Sequence, residues 1–157
     1  MDQVTPRDVE PRLRGLLDLI AAGTAVREPG LDLAHVDASG TALAAGGTAP
    51  ADAESGGLPL AEADLSRARM EEADLSGANL RRASLNGAVG RSTRFVGAIL
   101  EEADLSEADM SGADFTGIVA GQVKFASAML EDARFGQAAM RFADLSGALL
   151  DGASFAE

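Results

Sequence analysis

The sequence has no cysteine, no tryptophan and no tyrosine, and His35 is the single histidine among its 157 residues. Without cysteine there are no disulfides and no thiol chemistry. Positive charge is scarce too: 13 Lys and Arg stand against 25 Asp and Glu, a net charge of −12. That deficit argues against direct binding to nucleic acid or to an anionic membrane. No apolar run reaches the roughly 20 residues of a membrane-spanning helix. The N-terminus, MDQVTPRDVEPRLRG, lacks the apolar core of a secretory signal. A cytoplasmic protein is expected, with leaderless export as the alternative.

What the chain has is a five-residue period. From Leu58 to Glu157, twenty units read Ala, polar, Leu/Phe/Met, then two mostly polar residues. Only Gly90 and Ala120 interrupt the large apolar series. Leu58, Thr93, Ile118 and Val123 replace the Ala two positions before it. An α-helix would turn each successive Leu by about 140°, leaving no stripe to bury. A straight strand would send successive Leu residues to opposite faces. A chain that turns a corner once per unit buries them all. Such units are the sides of a closed coil, and stacked coils form a solenoid.

The number of sides follows from a second period. Phe stands at 95, 115, 135 and 155. Charge alternates in sign at the same spacing: Asp74, Arg94, Asp114 and Arg134; Glu62, Arg82 and Glu102; Asp104, Lys124 and Asp144; Arg81 with Glu101; Glu71 with Arg91. A coil of 20 residues places each pair about 4.8 Å apart, as in adjacent strands, where opposite charges are favourable. Four sides per coil and five coils are expected over 58–157. Gly at 77, 87, 97, 112, 117, 147 and 152 stands where a turn can need positive φ. Asp or Asn at 64, 74, 79, 104, 109, 114 and 144 precedes the central residue and can bond turn backbone locally.

ADLSR at 63–67, ADLSG at 73–77 and 143–147, ANLRR at 78–82 and ADLSE at 103–107 resemble the pentapeptide-repeat family, whose unit is A-(D/N)-L-x-x. The resemblance covers about two thirds of the chain. It implies an all-β solenoid, a right-handed quadrilateral parallel β-helix, here of about five to six 20-residue coils.

Before the array, residues 1–25 contain a short amphipathic helix over 12–22, with Leu13, Leu16, Leu17 and Ile20 on one face. It is read as a cap on the first coil, the alternative being a partner-binding helix. Residues 26–45 make one degenerate coil in steps of five. Residues 46–57, GGTAPADAESGG, absorb a two-residue register shift as a Gly/Ala-rich loop, either a linker or a binding loop.

Chemistry is hard to find. His35 sits at an outward turn position without a supporting Ser/His/Asp arrangement or metal partners. Glu71-Glu72 and Glu101-Glu102 are adjacent turn carboxylates with Arg one coil away, hence surface charge. The glycines follow the repeat rather than a phosphate-loop pattern. No catalytic, metal or cofactor-binding residue is assigned, and the chain is not expected to be an enzyme.

Function should then lie at outward positions. Several of these are apolar: Val89, Met129 and Leu149 in one column, Ile99, Val119 and Ala139 in another, and Phe142 on the Ile99 side. They form a candidate partner-binding patch, with incidental exposure as the alternative. Met140, Leu145, Leu150 and Phe155 would face outward along the axis at the last coil. They are expected to pair two copies into a homodimer, the alternative being fraying.

Two functions compete. The first is a non-enzymatic scaffold, a rigid acidic rod that binds a partner protein. The second is implied by the resemblance alone: some family members are acidic rods that mimic duplex DNA, bind DNA gyrase or topoisomerase IV, and confer quinolone or toxin resistance. Five coils span about 24 Å, a length of duplex that carries on the order of 14 phosphates. Residues 58–157 hold 16 acids and 9 bases, a net of −7. Six of those bases sit in the alternating columns, which weakens mimicry. Similarity to modules beside bacterial secretion or toxin systems is a looser analogy.

Overall fold

The computed structural model of the chain describes residues 60–156. The expected helix at 12–22, the degenerate coil at 26–45, the loop at 46–57 and His35 all lie outside the described residues.

Each five-residue unit follows the same course. The central carbonyl accepts a hydrogen bond from the amide three residues on, as from Ala63 to Leu60 at 3.1 Å. The residue two after the centre has positive φ in every unit from Glu62 to Gly152, between 57° and 73°. This is the pattern of a type II turn. All seven glycines expected to need positive φ adopt it. Twelve other residues adopt it as well, including Glu62, Arg82 and Phe142.

Parallel bridges join residues 20 apart, from Asp64 with Ser84 up to Arg134 with Ser154. They fall into four columns, which define four faces of the rod. The first holds 64, 84, 104, 124 and 144; the second 69, 89, 109, 129 and 149; the third 74, 94, 114, 134 and 154; the fourth 79, 99, 119 and 139. Every bridge is isolated, so no extended strand forms among the described residues. A side of five residues that must also make a turn has too little straight backbone for more.

Hydrogen bonding accounts for four of the five backbone amides of a unit. Ser84 donates to Ala63 O at 2.9 Å, one coil back. Leu85 and Gly87 donate to Asp104 O and Ser106 O, one coil on, at 2.7 and 3.0 Å. Ala88 closes the turn on Leu85 O at 3.0 Å. In units with Asp or Asn before the centre, that side chain meets the remaining amide, one after the centre. Ser66 N bonds Asp64 Oδ1 at 2.9 Å, and equivalent bonds run to Asp74, Asn79, Asp104, Asp109, Asp114 and Asp144. All seven positions picked out in the sequence therefore bond turn backbone.

Inside, Ala and the large apolar residues form one continuous core. Phe95, Phe115, Phe135 and Phe155 stack with centroids 5.0, 4.9 and 4.9 Å apart and planes within 8°. Phe125 meets Phe115 and Phe135 edge-on. At the first described level Leu60, Leu65, Met70 and Leu75 are buried. At the last level Met140, Leu145 and Leu150 are only partly buried and Phe155 is 48% exposed.

The two breaks in the series are filled by neighbours. A Cβ on Gly90 would lie 2.7 Å from Met110 Sδ, 3.0 Å from Thr93 Oγ1 and 3.1 Å from Met70 Cγ. Met70 and Met110 stand one coil either side of Gly90, and flexible Met suits an irregular gap. Thr93 is fully buried, and its hydroxyl donates to Met70 O at 2.6 Å. Beside Ala120, the inward Ala positions carry Ile118 and Val123, both fully buried. A small centre is thus matched by larger flanks. Gly90→Leu is expected to overpack this layer and destabilise the rod by about 1–3 kcal/mol. Denaturant unfolding checks this, and an unchanged midpoint would contradict it.

Candidate interaction surface

Outward side chains come from three positions of each unit: the bridged residue and the two turn residues after the centre. Stacking at coil spacing makes each position a column, so charge at one level is read by the levels above and below.

On the fourth face, Arg81 pairs with Glu101. Arg82 lies between Glu102 at 3.1 Å and Glu62 at 4.0 Å. On the third face, Arg94 reaches Asp74 at 3.4 Å. These contacts follow the 20-residue spacing. Glu71 and Arg91 also take other partners: Arg69 pairs with Glu71 at 3.0 Å within one unit, and Arg91 Nε donates to Asp109 at 2.6 Å. Lys124 shares its column with Asp104 and Asp144, and Arg134 shares its column with Asp114. Apart from Arg91 with Asp109, pairs this exposed contribute little each, on the order of 0–1 kcal/mol, but they intersperse the two signs along the rod.

Asp109 differs from the other acids because it is buried, 6% exposed. Its burial was not marked in the sequence, since its ADxSG unit also carries half-buried Asp74 and exposed Asp144. Its Oδ1 accepts from Ser111 Oγ at 2.8 Å, and Ser111 Oγ also reaches Glu131 at 3.1 Å. Burial alone would raise the Asp109 carboxyl. The Ser111 and Arg91 hydrogen bonds outweigh it and hold the group below its ordinary value.

The apolar outward residues do not come together as one patch. Val89, Met129 and Leu149 lie on the second face and Ile99, Val119 and Ala139 on the fourth. With four sides to a coil, those faces are opposite. The signal was present in the sequence, because the two columns differ by 10 residues, half a coil. On the second face, Met129 is 36% and Leu149 53% exposed, above the Asp109 cluster. On the fourth, Val119 is 42% exposed, while Ile99 is partly covered. Phe142 stands at the corner that ends the fourth face, 88% exposed, with φ 59°. Met140, Leu145, Leu150 and Phe155 line the last level, as described above.

Among the described residues, no group of three or more His, Cys, Asp or Glu is placed to hold a metal ion. No helix among them is long and apolar enough to cross a membrane.

Residues 60–89, 91–119 and 122–156, more than half of the chain, match the family profile "Pentapeptide repeats" in eight copies. No curated protein matches the chain. Solved structures similar to it include a pentapeptide repeat protein from the Arabidopsis thaliana thylakoid lumen. That protein is 28% identical over 71% of this chain and 66% of its own, with a TM-score of 0.42. Trypsin-treated QnrB1, a plasmid-mediated fluoroquinolone resistance protein, is 24% identical over 79% of this chain and 57% of its own, with a TM-score of 0.47. HetL, a pentapeptide repeat protein involved in heterocyst differentiation regulation in Nostoc sp. strain PCC 7120, is 17% identical over 89% of this chain and 95% of its own, with a TM-score of 0.37. The chain spans less than two thirds of the length of the first two.

The Asp109 cluster generates a pH prediction. A carboxyl held low in the folded state adds stability above the ordinary value of 3.8, and that stability is lost as pH falls through the folded value. This contribution should therefore fall away as pH drops from the ordinary carboxylate value toward the lower folded value. Asp109→Asn should destabilise the rod at neutral pH and flatten its pH dependence in that acid window. Equal pH profiles for the two proteins would contradict this role.

Proposed function

The chain belongs to the pentapeptide-repeat family, and from that premise we propose that it is a non-enzymatic binding module, a stiff acidic rod presenting fixed columns of side chains to a partner protein. Phe142 is the observation that carries this reading. A left-handed turn residue is most cheaply Gly or Asn. Seven of the turns described above use Gly. Phe at this position gains no burial and carries the backbone cost of positive φ, so nothing in folding favours it. An exposed aromatic that folding does not require is what a binding anchor looks like.

Binding to a type II topoisomerase as a DNA mimic is the second reading, and it draws on the net acidity. A mimic needs acids in rows, at phosphate-like density. Here Arg81, Arg82 and Arg94 sit against acids of neighbouring levels. The geometry therefore favours the general scaffold.

Affinity capture with the intact chain and with Phe142→Glu tests the proposal. A partner retained by the wild type and lost by the variant is the expected outcome, with gyrase supercoiling unaffected by excess protein. Identical capture by both proteins would contradict the site. Inhibition of supercoiling, lost in the variant, would put the DNA-mimic reading in its place.

A further inference from the structure

The fourth face changes character along its length. Its lower part is a charged ladder of Arg81, Arg82, Glu101, Glu102 and Glu62. Above Glu102 that ladder ends. The next level presents Val119, Gly121 and Gln122, and the one above presents Ala139, Arg141 and Phe142. Nothing lies within 4 Å of the space a Cβ on Gly121 would occupy. The corner entering this face carries Gly97 and Gly117, which add no side chain. The result is an uncharged shelf of small residues, with Val119 at its centre and Phe142 projecting from its upper corner.

Arg141 immediately precedes this anchor and shares its corner. Of the three cations in the upper levels, Lys124 lies between Asp104 and Asp144 and Arg134 lies above Asp114, whereas Arg141 lies above Gly121. Arg141 is exposed and closes no ion pair among the described residues. The glutamates nearest along the same face, Glu101 and Glu102, are held by Arg81 and Arg82. The shelf thus joins an aromatic anchor, an apolar floor and a guanidinium with no ion pair among the described residues. Aromatic residues and Arg are the types that dominate binding energy at interfaces, and a guanidinium recognises a carboxylate through paired N–H donors.

We propose that this shelf receives a partner-protein segment carrying a carboxylate beside an apolar side chain, the carboxylate meeting Arg141 and the apolar group packing on Phe142 and Val119. The proposal rests on the binding-module reading above and specifies the chemistry of its partner.

Random peptides displayed on phage, selected against the intact immobilised chain, supply the probe. The selected peptides are expected to carry Asp or Glu next to Leu, Ile or an aromatic residue. Phe142→Gly removes the anchor while suiting the turn, so the fold is kept and unfolding measurements confirm it. Binding of a selected peptide should weaken about tenfold or more with Phe142→Gly, the size expected for one hot-spot side chain. It should weaken with Arg141→Glu too, and replacing the peptide's acid by Lys should restore binding to that variant. Selection of basic peptides, or binding indifferent to both substitutions, would overturn the proposal. A wild-type dimer that Phe142→Gly dissociates in sedimentation would also overturn it, by giving the shelf to a second copy. If a captured partner depends on Phe142 but not on any of its own acidic residues, the binding-module reading stands and this inference fails.

Discussion

The structure depends on closing the hydrogen-bond account of a backbone that turns every five residues. A buried amide left without a partner is costly, and sides this short cannot make the long ladders of an ordinary sheet. The repeat solves this one amide at a time. In a unit such as 83–87 three amides bond neighbouring coils, and the next closes the turn. The last is taken by the carboxylate or amide side chain before the centre, where one is present. Asp and Asn are thus part of the scaffold although they stand on the outside. At Asp74 and Asp109 one side chain serves both purposes: it bonds the turn and joins the charge pattern along the rod.

The same closure sets the terms of the core. Because each inward residue stacks on those 20 positions away, volume must balance along columns as well as around a coil. Gly90 is balanced chiefly along its column, by Met70 and Met110, and Ala120 within its coil, by Ile118 and Val123. Apparent lapses in the repeat are therefore compensated packing, and they leave the outer surface unchanged. Phe142 is a lapse of another kind. It occupies a turn position, and no described neighbour compensates for it.

Much of this was legible in the residues. The five-residue period sets inside and outside, and the Phe and charge spacing sets the coil length. The Asp and Asn positions indicate the turn bonds, and all were met. Two features were less visible. Burial of Asp109 depends on Arg91, Ser111 and Glu131 closing around it, which no pattern within a single unit announces. The division of the apolar residues between opposite faces follows from the 10-residue offset between columns, but only when faces are counted as well as columns. Twelve turn residues other than glycine at positive φ show that composition understates how uniform the turns are. Here the stacked backbone bonds dictate conformation and residue preference yields, as for Phe142.

The rod requires that residues 20 apart be neighbours, and the natural absence of cysteine allows a clean measurement. Cysteines introduced by Asp104→Cys and Lys124→Cys lie at bridged positions one coil apart, whereas those from Asp104→Cys and Asp114→Cys lie on opposite faces. A short thiol–thiol cross-linker should join the first pair rapidly within one molecule and leave the second unjoined. Cross-linking of the second pair in preference to the first would contradict the 20-residue coil and the surface built on it.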